Sequence, residues 1–165
     1  MNSLAKNLTL PANCGTDYNM GQPLVMQAYL AMVGYQAVYS ATCLRDRDTS
    51  QYCFANAVTN LTTSSNVYFY FLPLNLTLPS STIPSCSSCM QRTMNVYQNA
   101  AANRKQPIAE TYALAAQQVN AVCGSTFVNE TLPQALVVND SGAFSQGPSW
   151  LLTASLLLAT LHWLL

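Results

Sequence analysis

Charge is what this sequence has least of. Asp, Glu, Lys and Arg make up 7% of its 165 residues, against roughly 25% in ordinary soluble domains. Six basic residues balance six acidic ones, and they are scattered, which leaves no electrostatic footprint for nucleic acid. Histidine occurs once, at His162. Upstream of it, Ser-His-Asp and Cys-His catalysis and histidine metal sites have no residue to work with. An apolar leader is also missing, since residues 1–11 carry one lysine and no hydrophobic run of useful length. Low charge does not mean disorder here. Half of the chain is apolar, whereas disordered chains are charge-rich and apolar-poor.

The few charges that cluster do so with alternating sign, in Arg45-Asp46-Arg47-Asp48, which reads as a solvated loop with local ion pairs. A surface so poor in charge needs another source of solubility. Asn-x-Ser/Thr sequons begin at Asn7, Asn60, Asn75, Asn129 and Asn139, where only about two or three would arise by chance. Glycans on them would cover apolar surface and hold those segments outward.

The last sixteen residues, WLLTASLLLATLHWLL, contain no Asp, Glu, Lys or Arg. As a helix they span about 24 Å, short of a hydrocarbon core of roughly 30 Å. Small residues and a short polar spacer precede them, the order of a glycosylphosphatidylinositol (GPI) attachment signal. Ser141 is the expected attachment residue, with Asn139 as the alternative. The tail would then be removed, taking His162, Trp150 and Trp163 with it. A GPI protein must enter the secretory pathway, so the missing leader predicts that this chain is incomplete at its N-terminus. The expected organisation is an N-terminal segment over 1–13, a cysteine-rich helical domain over 14–130, a linker with the attachment region over 131–149 and the signal tail over 150–165.

Hydrophobic periodicity predicts a mainly α fold, a small disulfide-stapled bundle of about four helices with one short extended aromatic segment. Pro23 opens the first helix, whose apolar residues lie on most sides, as in the centre of a bundle. Thr49 is placed to cap a second helix running to Asn60. Residues 66–72, NVYFYFL, are aromatic and β-branched and read as extended. Ser85 is placed to cap a third helix that buries Met90, Met94 and Tyr97. Pro107 starts a fourth, with Ile108, Tyr112, Ala115, Val119 and Val122 on one face, and Gly124 ends it. The short polar turn at residues 103–106 pairs these last two helices antiparallel.

Six cysteines, Cys14, Cys43, Cys53, Cys86, Cys89 and Cys123, imply three disulfides in a sequon-bearing chain. An antiparallel hairpin brings Cys123 to Cys86 or Cys89. Cys43 and Cys53 flank the charged loop and are expected to close it, leaving Cys14 for the remaining member of the CxxC. That CxxC is a weak redox signal without a preceding parallel strand. Met90 and Met94, one turn apart beside two sulfurs, are a copper-like constellation that is more ordinarily core. No cofactor and no metal are expected.

Several segments resemble an uncharacterised family of ascomycete fungal surface proteins. They are Asn13-Cys14, Gly21-Gln22-Pro23-Leu24-Val25, Tyr35-Gln36-Ala37-Val38-Tyr39-Ser40-Ala41-Thr42-Cys43-Leu44 and Tyr52-Cys53-Phe54-Ala55-Asn56-Ala57-Val58-Thr59-Asn60. Tyr70-Phe71-Leu72-Pro73-Leu74, Cys86-Ser87-Ser88-Cys89 with Thr93-Met94, and Ala115-Ala116-Gln117-Gln118-Val119-Asn120 with Cys123-Gly124 extend the likeness. The resemblance implies a secreted, cysteine-rich, GPI-linked fungal protein with more chain before the domain. It carries no established activity, ligand or catalytic residue.

The expected function is therefore that of a non-enzymatic GPI-anchored glycoprotein of the fungal plasma membrane or cell wall. Its expected partners are the membrane, through the anchor, and cell-wall polysaccharide. Two alternatives stand beside it. One is a small-ligand or lipid-binding surface module, motivated by the apolar first helix and the aromatic segment. The other is a wall-polysaccharide enzyme, which needs two carboxylates across a cleft from among Asp17, Asp46, Asp48, Glu110 and Glu130.

Overall fold

The computed structural model describes residues 1–136. Asn139, Ser141 and the apolar tail over 150–165 lie outside the described residues. Within them the chain is mainly helical, with α1 (Asn2–Leu8), α2 (Gly15–Asn19), α3 (Pro23–Thr42), α4 (Cys53–Thr59), a 3-10 segment (Ser64–Leu74), α5 (Ser88–Ala100) and α6 (Ile108–Cys123). No strand forms among the described residues, where a single isolated bridge joins Arg45 to Tyr52. The four expected helices correspond to α3, α4, α5 and α6, and the two short ones precede them.

α5 and α6 form the antiparallel hairpin that their periodicity predicts. Met94, Tyr97, Ala101, Ile108, Tyr112, Ala116 and Val119 are buried between and beneath them, and each large side chain withdrawn from water contributes roughly 1.5–3 kcal/mol. Val122, expected on the same face, is half-exposed at the last turn. Ser87 caps α5 by accepting from the Met90 backbone N–H at 3.3 Å. The expected cap, Ser85, lies two residues earlier and is bound to Asn66 instead. Gly124 ends α6 at φ +106°, a value that an L side chain rarely adopts.

The aromatic segment is not extended. It winds as a 3-10 helix, and its buried residues Asn66, Phe69 and Leu72 recur every third position, the repeat of a helix with three residues per turn. A lone strand here would have no neighbour to take its N–H and C=O groups. The 3-10 helix satisfies most of them internally. Its last turn is tied to α6, where Thr111 Oγ1 donates to the Leu72 carbonyl at 2.9 Å. Asn75 stops it in the left-handed region at φ 63°.

α3 and this 3-10 segment together organise the fold: α3 packs against α1, α2, α4, α5 and the 3-10 segment, and α4 and α6 pack on the 3-10 segment as well. α3 starts on Pro23, with Gln22 Oε1 accepting from the Val25 N–H at 2.8 Å. Only Gly34, Ala37 and Ala41 of its residues are buried. The expected central helix is central, with neighbours on several sides; its fully buried stripe is made of small residues, most of its larger apolar side chains are half-buried, and Leu24, Tyr35 and Tyr39 are exposed. Tyr35 and Tyr39 stack on its outer side at 5.9 Å.

The chain beyond α6 folds back along α5. Gln91 Nε2 donates to the Phe127 carbonyl at 2.9 Å, Gln98 Nε2 to that of Thr131 at 2.7 Å, and Arg104 Nη2 to that of Pro133 at 2.7 Å. The Leu136 N–H reaches the Ala102 carbonyl at 2.9 Å. Residues 131–136, read from sequence as the start of a linker, are thus strapped to the hairpin.

Candidate functional site

The sulfurs organise one end of the bundle. Cys86 is bonded to Cys123, one of the two partners the hairpin geometry allows. Cys53 is bonded to Cys89, which corrects the expected Cys43–Cys53 bridge and the expected use of Cys14 on the CxxC. The reason lies in facing. Cys53 is buried at the start of α4 and turned toward α5, whereas Cys43 is an exposed residue at the end of α3. Cys14 and Cys43 are free thiols. The two members of the CxxC therefore bind different partners, and Met90 and Met94 are core residues. Each bridge closes a loop of 36 or 37 residues, which removes about 4 kcal/mol of denatured-state entropy in the chain-entropy picture.

The charged loop closes by hydrogen bonds instead of sulfur. The Asp46 N–H donates to the Gln51 carbonyl at 2.7 Å and the Cys53 N–H to that of Leu44 at 2.8 Å. Arg45 stacks on the Tyr52 ring at 4.6 Å. Asp46 Oδ1 accepts from the N–H groups of Asp48 and Thr49, both at 3.0 Å. Those donors, Thr49 first and Asp48 second, hold its carboxyl below the usual carboxylate range. Thr49 serves this loop, so α4 begins at Cys53 and not at the expected Thr49. Asp46 Oδ2 points the other way and lies 3.5 Å from the Cys89 sulfur, a van der Waals contact, since a bridged sulfur carries no proton.

Above the Cys53–Cys89 bridge, α4, the 3-10 segment and the start of α5 line a half-open cavity of about 260 Å³. α4 and the turn after it contribute Asn56, Thr59 and Asn60; the 3-10 segment contributes Asn66, Phe69 and Tyr70; Thr93 comes from α5, and Asp46 from the charged loop. Some of these groups are committed to the fold. Asn66 donates to Thr63 Oγ1 and Ser85 Oγ, both at 2.9 Å, and accepts from the Ser85 N–H at 2.9 Å. Thr59 Oγ1 donates to the Ala55 carbonyl at 2.8 Å. Others are uncommitted. Thr93 is buried, and its hydroxyl has no hydrogen bond of standard geometry among the described residues. It stands beside the Tyr70 phenol, whose pKa burial raises and this contact draws back.

Four of the five sequon asparagines, Asn7, Asn60, Asn75 and Asn129, are exposed. At two of them the carboxamide oxygen is held by the sequon threonine, with the Thr62 N–H on Asn60 Oδ1 and the Thr131 N–H on Asn129 Oδ1, each at 2.9 Å. That turn leaves Nδ2 directed away from the backbone. Asp46 alone of the five carboxylates weighed for catalysis lines the cavity. Glu130 is occupied elsewhere, accepting from Asn120 Nδ2 at 2.8 Å.

Sequence reasoning singled out Asn60 as a sequon, Asp46 as a loop charge and Cys53 and Cys89 as bridge partners, without joining them into a site. Asn56, Thr59 and Thr93 it missed. Asn56 and Asn60 are four residues apart, one helical turn, and that spacing is the single local signal available. Disulfides persist in oxidising compartments, and the two here indicate a secreted or extracellular protein. No helix among the described residues is long and apolar enough to cross a membrane.

The family described as Domain of unknown function (DUF7729) matches residues 1–132, and the chain belongs to it. No curated protein and no solved structure matches the chain.

Proposed function

We propose that this DUF7729 protein is a non-enzymatic glycoprotein of the fungal cell surface, held at the plasma membrane or in the wall by a GPI anchor. The observation that carries the reading is the pairing of two crossed disulfides with four exposed sequon asparagines. Both features belong to a lumenal or extracellular life, and the apolar tail supplies the attachment.

A small-ligand-binding module is the second reading, and the cavity favours it. Carboxamides and hydroxyls among the lining groups suit a polar ligand better than a sterol or acyl chain.

Two enzymes test the surface reading on native protein. Peptide-N-glycosidase lowers the apparent mass, and phosphatidylinositol-specific phospholipase C moves the protein from the membrane fraction into the supernatant. Unchanged mobility would overturn glycosylation, and continued sedimentation after the lipase would overturn the anchor.

A further inference from the structure

We propose that the cavity above the Cys53–Cys89 bridge seats one neutral pyranose ring, supplied either by the N-acetylglucosamine on Asn60 or by a separate saccharide. Its volume of about 260 Å³ falls just below the roughly 300–1,000 Å³ of drug-sized sites, which suits a single sugar ring. No Lys, Arg or His lines it, so phosphates and carboxylates find no countercharge. What lines it instead is the mixture that reads a polyol. The Asn56 carboxamide and Asn60 Nδ2 make no hydrogen bond within the described residues, and Asp46 Oδ2, which accepts from Ser88 Oγ at 3.4 Å, has a further lone pair to offer. Vicinal sugar hydroxyls match such paired donors and acceptors.

Thr93 and Tyr70 line the cavity side by side. Asn60, which lines the cavity, adds geometry of its own, since its Oδ1 is fixed by the N–H groups of Thr62 and Thr63 and its Nδ2, the atom that carries a glycan, is left without a hydrogen bond among the described residues. The cavity argument stands on the oxidised fold alone, and only the Asn60 source rests on the secretory reading above.

The test titrates N-acetylglucosamine, glucose and mannose into the disulfide-bonded glycoprotein and into its Thr62→Ala variant, read by chemical-shift changes of the cavity residues. Thr62→Ala removes the sequon and keeps Asn60. If the protein's own glycan fills the cavity, the glycoprotein binds none of the sugars and Thr62→Ala binds N-acetylglucosamine. If the ligand is a separate saccharide, both forms bind. Asn56→Ala is expected to weaken binding roughly five- to tenfold while leaving the circular dichroism spectrum and the count of free thiols unchanged. The proposal is overturned if neither form binds any of the three sugars, or if Asn56→Ala binds as tightly as the parent. A chain found unglycosylated at Asn60 would remove that source and, with it, that support for the surface reading; binding of the separate sugars would still decide the cavity.

Discussion

The Pro73 carbonyl oxygen rests against the bare Cα of Gly34, so closely that a Cβ on that glycine would stand 2.3 Å from it. This contact is how α3 docks on the 3-10 segment. Alanine at position 34 would gain up to about 1 kcal/mol of helix propensity, but the obstructing atom is backbone and cannot rotate away. Overpacking of that kind costs roughly 1–3 kcal/mol. Gly34→Ala should therefore lower stability by about 1–2 kcal/mol in urea unfolding at constant disulfide state. A variant as stable as the parent would mean that α3 does not sit this close.

Asn120 holds the chain that leaves α6. Its Nδ2 donates to the carbonyls of Ser125 at 3.2 Å and Val128 at 2.9 Å and to Glu130 Oε1 at 2.8 Å, while its Oδ1 accepts from the Val128 N–H at 2.9 Å. Truncation to alanine strands the buried N–H and C=O of Val128 at once, each costing about 1–3 kcal/mol. Asn120→Ala should cost about 2–4 kcal/mol, and the Val128 amide should lose hydrogen-exchange protection before the α6 amides do. Retained protection at Val128 would count against this anchoring role.

Tyr97 is fully buried, and its hydroxyl has no hydrogen-bond partner among the described residues. Removing an unpaired buried hydroxyl relieves its desolvation cost. Tyr97→Phe is expected to match or exceed the parent's stability, by up to about 1 kcal/mol, in a thermal or urea transition. A loss larger than that would reveal a partner such as a buried water.

Alkali should unfold the protein through its phenols. Burial, and after it the Glu130 carboxylate, pushes Tyr112 up to about 12, and burial raises Tyr70 and Tyr97 as well. A phenol whose folded pKa is raised contributes stability that is complete below the unfolded value of about 10 and is lost as pH rises through the folded value. Stability should thus be level to about pH 10 and fall above it. Absorbance titration at alkaline pH should show exposed tyrosines ionising first and these three only with unfolding. Simple ionisation of all nine tyrosines in one step near pH 10 would contradict the buried positions.

The α5–α6 hairpin was legible from residues alone because Ile108, Tyr112, Ala115 and Val119 repeat at helical spacing between Pro107 and Gly124, and its turn is short. The 3-10 segment was not. Aromatic and β-branched residues at 66–72 match a strand by composition, and what decides against one is the absence of a neighbouring strand, a non-local fact. The same holds for Cys53, whose nearest cysteine in sequence, Cys43, faces away while Cys89 comes from another helix. α3 was legible as the central helix because it is apolar on most sides, but a run of apolar residues does not say which of them are fully covered, and those are Gly34, Ala37 and Ala41. The cavity draws on three elements and a loop, so no window of sequence contains it.

The order of the bridged cysteines along the chain, 53, 86, 89 and 123, means that the two loops interleave. A protease that cuts one peptide bond anywhere between Cys53 and Cys123 therefore releases no fragment. A cut before Cys86 leaves Cys53–Cys89 spanning the break, and a cut after Cys89 leaves Cys86–Cys123 spanning it. For a protein exposed to extracellular proteases, a single nick in the loop over 75–87 would change the number of chain ends without dividing the molecule.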